Sequence, residues 1–157
     1  MSRPFRATAG MRALNTVVRL AVRIGLPVGR AHVLTVVGRT SGALRSTPVS
    51  PVRWNGRRWL VASSGAAAWV ANARADGAAT LRGRGGSEPV RLVEVGGEDA
   101  CAALKVFAEE VARGRWLRTR PGSPVHEFAA DLPDHPVFEV LGGRGTRSGP
   151  KEPGEPD

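Results

Sequence analysis

The order of patterns along the 157-residue chain predicts an α+β fold, a mostly antiparallel sheet or small barrel of about six strands with helices set beside it. Three observations lead there. Asn55-Gly56 stands between two β-patterned runs, and the two left-handed positions of a tight hairpin turn favour that dipeptide. Short apolar runs follow one another without a crossover helix between each pair, which argues against a doubly wound parallel sheet. The clearest helical pattern, Gly97 to Arg113, stands apart from the strands rather than alternating with them.

Residues 1–30 read as a basic N-terminal unit. After a short leader, Thr8 to Gly25 places Met11, Leu14, Val18, Ala21 and Gly25 on one helical stripe, widened by Val17, Val22 and Ile24. Arg12, Arg19 and Arg23 fall on the other side, and Pro27 and Gly29 end the helix. Such a helix either packs its stripe on the domain or lies on an anionic membrane as a peripheral contact. Val33, Thr35 and Val37 then alternate with His32, Leu34 and Val36, a strand apolar on both faces. Gly38 to Ala43 is a turn. Arg45 to Trp54 is extended, and Pro48 and Pro51 confine it to a sheet edge or a bulge. Arg58 to Ala62 follows the hairpin, so these three strands are expected to form a meander.

Ser63-Ser64-Gly65 breaks the third strand. Ala66 to Asp76 is an alanine-rich helix with Trp69, Asn72 and Ala73 on one face and Gly77 as the left-handed residue beyond its end. Ala78 to Arg82 and Pro89 to Val95 are strands joined through a Gly83–Ser87 turn. In the Gly97 to Arg113 helix, Ala100, Ala103, Leu104, Phe107, Ala108 and Val111 form the buried face, while Glu98 and Asp99 complement its positive end. Residues 114–135 are irregular, anchored by Trp116 and Phe128, and Val137 to Leu141 is the last strand. Residues 31–141 thus make one domain, and the Gly/Pro-rich stretch 142–157 is expected to be a disordered tail.

Charge is distributed unevenly. Residues 1–75 hold twelve arginines and no aspartate or glutamate, whereas the whole chain carries a net charge of +9. An acid-free front half predicts an anionic partner. It lacks any nucleic-acid reader motif or aromatic platform, so nucleic acid is not the expected one. The single cysteine, Cys101, excludes an internal disulfide and a multi-cysteine metal site, and no metal is expected. A lone thiol fits a reducing compartment and no run reaches the length of a membrane span. The chain is therefore expected in the cytoplasm, membrane-associated at most through its first residues. His32, His126 and His135 are scattered, and no nucleophile triad can be assembled. The oligomeric state is left open.

The chemistry-bearing stretch is Gly38–Pro48. Its glycines let backbone approach an anion, successive amides in a turn form a concave nest, and Arg39 or Arg45 can make paired hydrogen bonds to phosphate. An ordinary hairpin turn with exposed arginines would look the same.

Taken together, Leu34-Thr-Val-Val-Gly38-Arg39-Thr40-Ser41-Gly42, Arg45-Ser-Thr47-Pro48, Val61-Ala62-Ser63, then Trp69 and Asn72 resemble the deazaflavin-dependent nitroreductase family. That family's pattern is roughly T-T-G-R-K-S-G-x-x-R-x-x-P, then V-A-S-x-G-G, then P-x-W-x-x-N-L-x-A-N-P. The match spans about residues 32 to 95 in order. The resemblance implies a split β-barrel that binds coenzyme F420, a phosphorylated 5-deazaflavin with an acidic tail, ahead of FMN. It implies hydride transfer to a small-molecule electron acceptor: a quinone, a nitro compound or an activated C=C bond. Carried over, Arg39, Thr40, Ser41, Gly42 and Arg45 face the phosphate and acidic tail, and Thr47 and Pro48 line the groove. Ala62, Ser63 and Ser64 lie along the deazaflavin, and Trp69 and Asn72 close the site. Ser63 is the one candidate proton donor. The sequence also departs from the pattern. The motif lysine is Thr40, a second basic position is Ser64, the loop from Ser64 to Trp69 is about four residues shorter, and no tyrosine is present. These departures keep a non-catalytic deazaflavin- or flavin-binding protein as the alternative.

Overall fold

The computed structural model describes residues 31–142 together with Thr16, Arg19 and Leu20. The expected basic helix within residues 1–30, beyond those three helical residues, and the tail from 143 onward lie outside the described residues.

Seven strands form one antiparallel sheet: β1 His32–Val37, β2 Leu44–Val49, β3 Val52–Trp54, β4 Arg57–Val61, β5 Ala78–Gly83, β6 Gly86–Val95 and β7 Val137–Gly142. Their spatial order is β2-β1-β5-β6-β7-β4-β3. Among residues 31–142 two helices accompany them, α1 Ala68–Ala75 and α2 Gly97–Phe107, the latter running into a π-helical turn at Ala108–Ala112. A 3₁₀ turn covers Val125–Ala130.

The sheet must curl. β2 and β3 are its two edges, yet only Ser50 and Pro51 separate them in sequence. Flat, seven strands would set those edges about 29 Å apart at a spacing of about 4.8 Å. Two linking residues span only about 10 Å. The sheet therefore closes on itself as a half-barrel, the split-barrel form of the expected α+β fold.

The same fact corrects the meander. Arg45 to Trp54 is two strands, not one, which raises the strand number to seven. β1–β2 and β3–β4 are separate hairpins at opposite edges. Pro51 has no N–H to extend a ladder, and the core changes at that point. Val49 belongs to one apolar cluster and Val52 to the other. Pro48 does lie on an edge strand, opposite Val33, as its chemistry requires.

The first cluster gathers Leu34, Val36, Leu60, Leu81, Leu92, Phe138 and Val140 around α1, which contributes Trp69, Val70 and Ala73. In the second, α2 and its π turn cover Trp59, Val61 and Val137 with Leu104, Phe107 and Val111, and Phe128 packs beneath the irregular segment. Alternation decides the partition. Leu60 pairs with Phe138 in one cluster, and its neighbour Val61 pairs with Val137 in the other.

Two helix ends differ from expectation. The regular part of the second helix stops at Phe107, and Ala108–Ala112 continues as a π turn that ends at Arg113 in the left-handed region. Gly77 does not take a positive φ. Its role is space, because a Cβ there would lie 2.6 Å from the carbonyl oxygen of Leu92 on β6. The Gly77 carbonyl accepts the Leu92 amide hydrogen at 2.8 Å.

Candidate functional site

The turn between β1 and β2 is tightly bonded. The Gly38 amide donates to the Ala43 carbonyl at 2.7 Å and the Gly42 amide to the Gly38 carbonyl at 2.9 Å. Gly42 takes φ +69, which favours glycine. The Ser41 hydroxyl oxygen accepts the Ala43 amide at 3.2 Å. The turn thereby directs Arg39, Thr40 and Ser41 away from the sheet while Arg45 and Thr47 leave along β2.

The facing wall is α1. Trp69 is held against Phe138 of β7, ring centroids 5.2 Å apart. Asn72 is only 4% exposed. Its Oδ1 accepts two hydrogen bonds, from the Arg39 amide at 3.1 Å and from Arg39 Nη1 at 3.0 Å. Between turn and helix lies a cavity of about 520 Å³, lined by Arg39, Thr40, Ser41, Arg45, Thr47, Trp69 and Asn72. Gly38, Ser46, Ala67 and Ala68 complete it; Gly38 and Ser46 belong to the chemistry-bearing stretch, while Ala67 and Ala68 carry no functional group that a sequence pattern could single out. No carboxylate lines it. Among the described residues neither Arg39 nor Arg45 is paired with an acid, whereas Arg57, Arg58, Arg74 and Arg118 pair with Glu139, Glu88, Glu94 and Asp134.

The remaining expected site residues fall elsewhere. Gly42 shapes the turn without lining the cavity, and Pro48 is buried in β2. Ala62 is fully buried, its amide donating to the Pro136 carbonyl at 3.0 Å. Ser63 and Ser64 line a second cavity of about 430 Å³ with Arg74, Asp134 and His135. The Ser64 hydroxyl oxygen accepts the Ala66 amide at 3.2 Å, and Gly65 lies against the Pro133 carbonyl. With only three residues between Ser64 and α1, this loop is drawn onto the segment before β7.

That segment is polar and ordered. Asp131 is 1% exposed and its carboxylate accepts the amides of Arg118 and Thr119 at 2.9 and 3.0 Å. Burial pushes its pKa up, but the hydrogen bonds from Thr119 and Arg118 and the nearby His135 outweigh this and hold it below the ordinary carboxylate value. His135 sets one ring nitrogen 3.0 Å from the Ala62 carbonyl and the other 3.1 Å from that of Trp116. The Cys101 thiol is buried in α2, and desolvation, then Glu98, push its pKa up. Among the described residues there is no cluster fit to hold a metal ion, and no helix long and apolar enough to cross a membrane.

A family model described as F420H(2)-dependent quinone reductase matches residues 10–118. The chain belongs to that family. As an F420H(2)-dependent quinone reductase family member it is an oxidoreductase that depends on coenzyme F420. No curated protein matches it. Among solved structures, an F420-H2 dependent reductase, FDR-A, shares 24% identity over 71% of this chain and 93% of its own, with a TM-score of 0.49. A chain described as a domain-swapped dimer shares 19% identity over 84% of this chain and 99% of its own, at TM-score 0.54. HutZ, the heme storage protein from Vibrio cholerae, shares 11% over 85% and 90%, at 0.51. The likenesses at 0.54 and 0.51 bear on the fold alone, and nothing rests on the one at 0.49.

The larger cavity suits such a cofactor. Two arginines without acidic partners and the hydroxyls of Thr40, Ser41 and Thr47 line it, a donor set fit for phosphate and carboxylate groups. The family match reaches from the segment before β1 through α2, so the Arg39 turn, β2 and α1 all fall within it.

Proposed function

We propose that this F420-dependent oxidoreductase reduces a quinone, with nitro compounds and activated C=C bonds as further acceptors. The carrying observation is the cavity between the Arg39 turn and α1, cationic and free of carboxylates. Arg39 and Arg45 hold the cofactor's phosphate and acidic tail by charge-assisted hydrogen bonds, helped by Thr40 and Ser41. Thr47 and Trp69 would bound the groove for its ring system. When bound, the deazaflavin supplies a hydride to the acceptor. Reduction of a quinone also takes up one proton per hydride. No histidine, carboxylate or thiol lines the cavity, and Ser63 opens on the other cavity, so water delivers that proton. The missing tyrosines and the position of Ser63 favour a second reading, a protein that holds the cofactor without turnover.

Titration with coenzyme F420 and with FMN, followed by fluorescence, tests the proposal. Saturable binding of F420 ahead of FMN is expected, and binding of neither overturns it. Oxidation of the reduced cofactor by a panel of quinones and nitroaromatics then separates an enzyme from a binder. Peripheral membrane contact through residues 1–30 is a further proposal, checked by sedimentation with anionic vesicles.

A further inference from the structure

We infer that Asn72 is a positioning residue that fixes Arg39 without neutralising it, so that the guanidinium stays both immobile and fully charged for an anion. The inference rests on the cofactor seat proposed above. Four other arginines on the surface are held by carboxylates, at Glu139, Glu88, Glu94 and Asp134. Arg39 is instead held by an amide oxygen. Asn72 Oδ1 accepts from the Arg39 backbone amide at 3.1 Å and from Nη1 at 3.0 Å, so a single buried atom fixes the residue at both ends.

The choice of acceptor has a consequence. A guanidinium carries five N–H donors. The amide engages one of them, and the other four remain for a ligand. A carboxylate at the same position would make the same two hydrogen bonds, yet it would cancel the charge and place a negative group in the cavity wall. Aspartate has the same shape as asparagine, so geometry and charge can be separated by one substitution. Pre-fixing the long side chain also removes much of the rotamer entropy that binding would otherwise cost. This matters where the family pattern has lysine and this chain has Thr40, because fewer cations must do the same work.

The test uses the full chain labelled with ¹⁵N, with Arg39 side-chain signals assigned through Arg39→Lys, and compares wild type, Asn72→Asp and Asn72→Ala. Inorganic pyrophosphate and coenzyme F420 are the two probes. Without ligand, the Arg39 guanidinium signals are expected to be slowly exchanging in wild type and N72D and lost in N72A. On titration, N72D is expected to bind both probes about tenfold more weakly than wild type or worse, as fits loss of a charge-assisted contact, with an unchanged circular dichroism spectrum. A purely structural role predicts that N72D binds like wild type; that result, or unchanged Arg39 signals in N72A, overturns the inference. Failure of wild type to bind F420, with Arg39 still shifting on pyrophosphate in wild type and not in N72D, leaves the inference standing and removes the cofactor seat instead.

Discussion

His135 Nδ1 lies 3.0 Å from the carbonyl oxygen of Ala62, and the opposite ring nitrogen lies 3.1 Å from that of Trp116. A carbonyl oxygen can only accept, so a ring N–H that faces one donates to it. One buried ring thus ties the end of β4 to the loop after α2. His135→Ala is expected to lower stability by about 1–3 kcal/mol, the cost of leaving buried acceptors unpaired. Urea unfolding, with the midpoint shifted and the slope unchanged, checks this.

Asp131 contributes stability with a defined pH sense. Its folded pKa is depressed below the 3.8 of a free aspartate side chain. Its contribution is therefore fully present above that value and is lost as pH falls through the lower, folded value. Asp131→Asn should be less stable than wild type at neutral pH, with the gap narrowing below pH 3.8. Parallel thermal unfolding curves from pH 7 to pH 2 would show it, and a constant gap would refute it.

The two arginines of the cavity should differ from Thr40 in sign. Arg45→Ala is expected to weaken F420 binding about tenfold or more, the loss of one charge-assisted contact. Thr40→Lys restores the lysine of the family pattern and is expected to tighten binding by a similar factor, about tenfold, and less so in high salt. Fluorescence titrations at two ionic strengths read both.

Gly77→Ala tests close approach rather than backbone freedom. A Cβ would press on the Leu92 carbonyl at 2.6 Å, while Gly77 itself has no positive φ to lose. Separation of α1 from β6 is expected to cost about 1–3 kcal/mol. Gly56→Ala, with open space and φ +68, should cost less, about 1 kcal/mol. Thermal unfolding of the pair ranks the two effects.

Cys101 should be inert in the folded protein. It is buried and its thiol pKa is raised, first by desolvation and then by Glu98. Reaction with an aromatic disulfide reagent at pH 8 is expected to follow global unfolding, accelerating in urea in step with the loss of circular dichroism.

Local chemistry was legible in the sequence and long-range closure was not. Asn55-Gly56 announced its hairpin because both residues need the left-handed region, and they take φ 52 and 68. The face shared by Trp69, Asn72 and Ala73 followed from helical spacing, and all three are buried. The division of Arg45 to Trp54 depends on two sheet edges meeting, and no pattern within that run records it. The π turn after Phe107 likewise has no signal in apolar spacing.

The site divides in the same way. Arg39, Thr40, Ser41, Arg45, Thr47, Trp69 and Asn72 line one cavity, because a six-residue turn, the strand that leaves it and one helix face place them there. Ser63 and Ser64 line another. Their placement depends on a shortened loop and on His135, which reaches Ala62 from 73 positions away. Such a contact is invisible to motif spacing.

The order of the strands also sets an order of assembly. The β1–β2 and β3–β4 hairpins are local and can form as soon as their residues exist. Strand β7 sits between β6 and β4, so the half-barrel lacks its middle connection until residue 142 has been synthesised. Until then the nascent chain presents two unpaired strand borders, at β4 and β6, each a template for pairing with another chain. β7 is thus the keystone of the fold, and a ribosome stalled before it would release a product prone to aggregate rather than a smaller folded one.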